Sequence, residues 1–271
     1  MRHSNEVVLI TGGASGLGKA TGQYLASRGY RVYGTARNPE RYPGFDLFPL
    51  LRMDVRQEAS VKAAVEALIL REGRVDVLIN NAGVGITGPL EETPPEAMAD
   101  AFETNFYGPL RVIRAVLPHM RQRGQGFILN ITSVAGYMGL PYRGGYSASK
   151  GALGIITEAY RMEIRDFGIR MANLAPGDFA TNIAAGRYHC PVLEGSPYGE
   201  AYQRTLGLMD QHVASGKDPV VLARKVYYIL QQRRPKVHYT SGSALQRLSL
   251  ALKKILPDKI YERLLLNHYK L

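Results

Sequence analysis

Val7-Val8-Leu9-Ile10-Thr11-Gly12-Gly13-Ala14-Ser15-Gly16-Leu17-Gly18 reads as a buried strand, a glycine-rich turn and the start of a helix. After the turn the apolar positions Leu17, Ala20, Tyr24 and Leu25 recur at helical spacing. The glycines therefore occupy a strand-to-helix turn, where the missing Cβ lets the backbone approach a ligand and aim amide N–H groups at it from the helix N-terminus. Such a turn suits the pyrophosphate of a dinucleotide. The spacing is Gly-x-x-x-Gly-x-Gly, through Gly12, Gly16 and Gly18, and not the Gly-x-Gly-x-x-Gly of the common fingerprint.

Outward from this turn, strand-like runs near 7–11, 30–35, 47–53, 75–80, 125–132, 168–174 and 236–240 alternate with helical patterns. That alternation predicts an α/β fold with a parallel, doubly wound sheet of about seven strands. At 271 residues and 45% hydrophobic content, one sizeable core is expected and a second full domain is not. Residues 1–242 are assigned to this unit, and 243–271 to a helical tail of the same domain. No internal repeat, low-complexity tract or linker interrupts the chain. Pro176-Gly177 ends the sixth strand and Lys217-Asp218-Pro219 opens a later helix. The irregular stretch between them, about 178 to 216, is long enough to suggest a functional role.

A second constellation carries chemistry. Ser133, Tyr146 and Lys150 follow one another in Ile131-Thr132-Ser133 and Tyr146-Ser147-Ala148-Ser149-Lys150. On a helix Tyr146 and Lys150 are one turn apart on one face, so the ammonium lies beside the phenol and favours its ionised form. A phenol tuned in this way exchanges a proton with a carbinol oxygen, whereas an unperturbed tyrosine with a pKa of about 10 is a poor base at neutral pH. Alone, Tyr-x-x-x-Lys in a chain with 17 tyrosines is an ordinary surface helix pair. Its company gives it meaning: the glycine turn, and Asn80-Asn81-Ala82-Gly83 after the strand-like Val75 to Ile79.

Together these motifs resemble the short-chain dehydrogenase/reductase family over about residues 5 to 240. The resemblance implies a single-domain Rossmann-type fold and hydride transfer between a nicotinamide and a carbonyl or alcohol. It implies Asn105, Ser133, Tyr146 and Lys150 as the catalytic set: Ser133 bonds the carbonyl oxygen, Tyr146 gives the proton, Lys150 holds the nicotinamide ribose and tunes the tyrosine, and Asn105 keeps a proton-relay water. It also implies a cofactor pocket of Gly12, Ser15, Gly16, Leu17 and Gly18, with Asp54 and Val55 at the adenine, Asn81, Ala82 and Gly83 on the ribose side, and Pro176, Gly177 and Thr181 near the carboxamide. After the second strand the chain reads Tyr33-Gly34-Thr35-Ala36-Arg37-Asn38 with no acid. Arg37 can pair with a 2′-phosphate, and Thr35 or Ser15 can add a hydroxyl donor, so NADP(H) is expected over NAD.

Met138, Tyr142, Phe179 and Ile183 are the expected substrate contacts. They sit among further apolar and aromatic residues of 134–145 and 178–216, a lining suited to an apolar ketone, aldehyde or alcohol. Pro176-Gly177-Asp178-Phe179 and the tail resemble the hydroxysteroid and retinol dehydrogenase branch, and a fatty or polyketide-type carbonyl stays open beside a steroid or retinoid. From another class, a cofactor-binding sensor or scaffold with little turnover is the competing reading. Gly13 to Ala20 nearly spells a triphosphate P-loop, but alanine stands where a hydroxyl must ligate Mg²⁺. Ser147-Ala148-Ser149-Lys150 has no Lys-Thr-Gly or Ser-Asp-Asn to complete a hydrolase set. The six histidines lack metal-ligand spacing, and no metal is expected.

Both the tyrosine helix and the helix before it carry two apolar lines. One faces the sheet, and the other suits a second subunit or cover by the chain's own tail, so a homodimer is expected. Between 217 and 271, 12 basic and 3 acidic residues supply +9 of the net +11. Leu245, Leu248, Leu252, Ile255 and Leu256 recur there at helical spacing beside Lys253 and Lys254, and Pro257-Asp258 restarts a helix. Such a segment serves as a peripheral membrane contact, a lid or an intersubunit arm. Nucleic acid is not expected, for want of a binding motif. No apolar run approaches a membrane span, Met1 to Glu6 contain no signal core, and the single Cys190 fits a reducing compartment. A cytoplasmic location follows as the expectation.

Overall fold

The computed structural model describes residues 5–181 and 186–271. The chain begins with β1 (Val7–Ile10), α1 (Gly16–Ala26), β2 (Arg31–Ala36), β3 (Leu50–Arg52), α2 (Glu58–Glu72) and β4 (Val77–Asn80). A short β5 (Ile86–Thr87) and α3 (Pro95–Phe102) lead through one π-helical turn, Glu103–Tyr107, into α4 (Gly108–Gln122). Then come β6 (Gly126–Ile131), α5 (Gly144–Glu163), β7 (Ile169–Pro176), β8 (Tyr188–His189) and α6 (Gly199–Ala214). The last elements are α7 (Pro219–Leu230), β9 (His238–Ser241), α8 (Ala244–Ile255) and α9 (Asp258–Tyr269).

Seven strands pair in parallel in the order β3-β2-β1-β4-β6-β7-β9. Side chains of β1 alternate between two layers. Val7 and Leu9 pack with Val65 and Leu68 of α2 and with Ile113 and Val116 of α4. Val8 and Ile10 pack with Leu25 of α1 and with Leu222, Val226 and Ile229 of α7. All of these are at most 1% exposed, and each contributes about 1.5–3 kcal/mol on leaving water. Burial on both faces explains why β1, β4 and β6 read as apolar runs, while the edge strands β3 and β9 are only partly buried. This is the Rossmann-type, doubly wound sheet. Strand order reverses between β1 and β4, so the loops leaving their carboxyl ends part and open a crevice.

The segment 178–216 is less irregular than its sequence suggests. It contains β8, which pairs with β5 outside the main sheet, and the four-turn helix α6. Tyr202, Thr205 and Met209 form the buried line of α6, a helical spacing that is easily mistaken for a scatter of pocket residues. On α5 the buried line is Tyr146, Lys150, Leu153 and Thr157. Its opposite side leaves Ile155 71% and Met162 69% exposed, so the chain's own tail does not cover it.

The tail folds into α8 and α9. Ser243 and Gln246 form a reciprocal capping box at the start of α8, and Gln246 Nε2 also donates to Asp178 Oδ2 at 2.6 Å. Among the described residues no helix is long and apolar enough to cross a membrane.

Candidate active site

The crevice widens into a cleft of about 1100 Å³. At one end lies the glycine turn, where Gly12 and Gly16 adopt φ of +64° and +51°. A Cβ on Gly18 would collide with the Gly12 carbonyl oxygen and the Asn81 side chain, so α1 packs directly on the turn and Gly18 lies behind the cleft wall. Hydrogen bonds lock the strand ends together. Thr11 Oγ1 accepts from the Asn81 and Ala82 amides at 2.9 and 3.0 Å, and Asn81 Nδ2 donates to the Thr11 and Gly12 carbonyls at 3.0 and 3.2 Å. Gly12 N–H donates to Thr35 Oγ1 at 3.3 Å. Thr35 and Asn81 thus act first as braces of the turn.

The donor set fits a pyrophosphate. Ser15 makes no side-chain cap to α1, and the first turn carries no acid, so the orphan amides and positive end of the helix dipole open into the cleft beside Ser15, Gly16 and Leu17. Thr181 approaches from above, its Cβ 3.5 Å from where a Cβ on Gly16 would stand. Past β2, the exposed Arg37 shares the rim with Arg41, opposite Asp54 and Val55. Neither arginine has a carboxylate partner among the described residues. Arg41 was not a candidate from sequence, because the turn that returns it to the rim follows Pro39 and shows no period.

Toward the centre, a buried polar ladder sets the rotation of α5. Asn80 Nδ2 donates to Asn130 Oδ1 at 2.9 Å, and Asn130 Nδ2 to Thr157 Oγ1 at 2.8 Å. Lys150 Nζ then reaches the Ile131 carbonyl at the end of β6, 3.0 Å away. Two residues on, Ser133 Oγ accepts from the Ala135 amide at 3.1 Å and caps the turn Val134–Tyr137. Ser133, Tyr146 and Lys150 line the same cleft and are 6, 8 and 5% exposed. Burial pushes the Lys150 ammonium down to about 8.

Asn105 sits in the π-helical turn, fully buried. Its Oδ1 accepts from the Val84 amide at 2.9 Å, and its Nδ2 donates to the Val84 carbonyl at 2.9 Å and the Ser149 hydroxyl at 3.1 Å. A Cβ on Gly83 would lie 3.1 Å from both Asn105 Oδ1 and Lys150 Nζ. Asn105 is therefore a neighbour of the lysine, placed behind the cleft surface. The wider π turn breaks the α4 period and turns this one polar side chain inward.

At the substrate end Met138 and Phe179 line the cleft, as do Pro176 and Gly177. Tyr142 does not. Its backbone has φ of +56°, and its ring stacks at a tilt on Tyr202, 5.3 Å between centroids, which puts Arg143 in the wall instead. Ile183 lies outside the described residues. The sequence reading also missed Arg187 and His212, which come from the segment whose helix it did not resolve. The tail covers this end through Leu245, Ser249 and Leu252 of α8 and Tyr261, Leu264 and Tyr269 of α9. Tyr261 donates to Met138 Sδ at 2.7 Å and bonds Ser249 at 2.8 Å.

A family model described as short chain dehydrogenase matches residues 6–189, from β1 through β8. The chain belongs to that family. This short-chain dehydrogenase is 38% identical over 258 residues to a 3-ketodihydrosphingosine reductase of Bacteroides thetaiotaomicron, with 95% of each chain covered. A solved short-chain dehydrogenase from Streptomyces avermitilis is similar at a TM-score of 0.80 and 32% identity, over 98% of this chain and 97% of that one. A Burkholderia phymatum relative in complex with NAD gives 0.80 at 26% identity, covering 94% of both chains. One from Burkholderia cenocepacia in complex with NADP gives 0.74 at 25%, over 94% and 95%. The short-chain dehydrogenase is thus an oxidoreductase whose relatives bind one nicotinamide dinucleotide or the other.

Proposed function

We propose that the protein is an NADP(H)-dependent oxidoreductase acting on the carbonyl or alcohol of an apolar, lipid-like substrate. The observation that carries this reading is the meeting of Ser133, Tyr146 and Lys150 in one cleft with the uncapped N-terminus of α1. A nicotinamide dinucleotide held in this cleft would provide the hydride chemistry at the substrate carbon. Ser133 holds the carbonyl oxygen and Tyr146 gives it a proton, or removes one in the reverse direction. Lys150 lies one helical turn from Tyr146, its ammonium placed to hold ribose hydroxyls. Gly12, Ser15, Gly16 and Leu17 would hold the pyrophosphate, and Arg37 with Arg41 would hold the 2′-phosphate.

Met138, Phe179 and the leucines of α8 and α9 favour a substrate with an apolar body. The name of the Bacteroides relative, 3-ketodihydrosphingosine reductase, supports a lipid-like carbonyl compound. The exposed Ile155 and Met162 of α5 suit a homodimer. Exposed Leu248, Ile255 and Ile260 beside Arg247, Lys253 and Lys254 suit peripheral contact with an anionic membrane, a contact that flotation with liposomes, wild type against Ile255→Glu, would reveal.

The deciding experiment follows NADPH consumption with a panel of long-chain ketones and aldehydes. Wild type turns over, and Tyr146→Phe loses about 10²- to 10⁴-fold in kcat while NADPH still binds by fluorescence. Full activity in Tyr146→Phe, or no retention of either cofactor, refutes the proposal.

A further inference from the structure

The substrate end of the cleft holds more positive charge than its apolar walls require. Arg143 lays its guanidinium over the Tyr146 ring, 5.3 Å from the centroid. Arg187 lies over Gly85 with its side chain 5% exposed. Both line the same cleft as Ser133 and Tyr146. Asp210 of α6 pairs with Arg187 at 3.1 Å but is itself 50% exposed. Among the described residues Arg143 has no carboxylate partner, and it lies near the buried phenol of Tyr269, which burial shifts upward. The two guanidiniums also oppose each other: burial first, then the charge of Arg143, lowers the pKa of Arg187. Two cations thus face one half-exposed partner, Asp210, and the cleft's other nearby carboxylate, Asp178, which already accepts from Gln246, so a bound anion improves the balance, above all for the buried Arg187.

We propose that the substrate is an acidic amphiphile: an apolar chain that carries, within a few bonds of the reacting carbon, a carboxylate or phosphate held by Arg143 and Arg187. The inference rests on the reading of Tyr146 as the proton donor, because it is next to that phenol that the arginines converge. Each guanidinium presents a planar fork that matches two oxygens of such a group. The apolar chain then runs along Met138, Leu245 and Leu252. A substrate with an ammonium at the same place, such as the amino ketone named for the Bacteroides relative, meets like charge and is rejected, so this site is expected to part from that relative in the group beside the carbonyl.

The test uses matched long-chain ketones bearing a carboxylate, a phosphate, a methyl ester or an amine at one position, with NADPH consumption as the readout. The carboxylate or the phosphate is expected to exceed the ester in kcat/KM by about 10- to 100-fold, the better of the two naming the group, and the amine ranks last. Arg187→Met and Arg143→Met lower the acid-to-ester ratio of kcat/KM, mainly through KM, and Arg→Lys at either position restores part of it. Equal rates for ester and acid, a preference for the amine, or an unchanged ratio in the Met variants would overturn the inference. If NADPH binds but no ketone is consumed, the proposed reaction fails instead. Thermal stabilisation by the acids but not the ester, lost in Arg187→Met, then supports the anion site, and its absence overturns it.

Discussion

The Asn105 side-chain amide stands 3.1 Å from the Ser149 hydroxyl, and Ser149 in turn donates to the Tyr146 carbonyl at 2.8 Å. The π-helical turn before α4 is thereby tied to the first turns of α5, where the proposed proton donor sits. Asn105→Ala removes the partner of the half-buried Val84 amide and carbonyl and the donor to the buried Ser149 hydroxyl, which keeps its own bond to the Tyr146 carbonyl. At about 1–3 kcal/mol for each buried group left unpaired, unfolding free energy should fall by about 2–4 kcal/mol in urea titrations, with kcat falling more than KM rises. A variant as stable as wild type would show that these bonds are replaced by solvent.

Lys150 sets an alkaline limit. Burial lowers its pKa from 10.5 to about 8, so below about pH 8 it is charged in the folded and unfolded chains alike and the cost of burying it is constant. Between about 8 and 10.5 the unfolded chain binds the extra proton, and the stability traceable to this group rises with pH. Relative to Lys150→Met, wild type should gain on the order of 3 kcal/mol across that window. Activity runs the other way: kcat/KM for NADPH should decline above about pH 8, and Lys150→Arg should move that decline to higher pH. A profile flat to pH 10 would dissociate the lysine from the reaction.

Arg37 stands on the rim without a carboxylate partner among the described residues, as a residue reserved for a 2′-phosphate would. Arg37→Asp should raise the KM for NADPH by about 10- to 100-fold and lower that for NADH, since a carboxylate at this place accepts from the ribose hydroxyls. An unchanged ratio of kcat/KM for the two cofactors would remove the arginine from cofactor choice.

Ile155 and Met162 lie on the solvent side of the helix that carries Tyr146. A glutamate at 155 leaves the buried line untouched, so the fold is expected to survive while self-association is lost. Light scattering should show a dimer or larger assembly for wild type and a monomer for Ile155→Glu. A wild-type monomer would leave these side chains without a partner.

The sheet was legible because β1, β4 and β6 are buried along their whole length and read as apolar runs, with the glycine turn where strand order reverses; the edge strands β3 and β9 are only partly buried. Ser133, Tyr146 and Lys150 were legible because a helical period and a strand end bring them to one place. Tyr142 was not, since its positive φ turns the ring away and no local signal in Pro141-Tyr142-Arg143 announces it. Arg143 and Arg187 were passed over because an arginine in a loop reads as solvated until the fold closes around it. Strand β8 is two residues long, too short for any period, and α6 was hidden because Tyr202, a packing residue of its buried line, reads like a pocket aromatic.

Gln246 caps α8 with its carbonyl and grips Asp178 with its nitrogen, and a Cβ on either Gly177 or Gly242 would fall on that same side chain. The ceiling over the reaction chamber is thus stapled at the margin nearest the sheet. Entry of a bulky guest beneath the tail is therefore expected to part the Tyr261–Met138 contact before the Gln246–Asp178 bond.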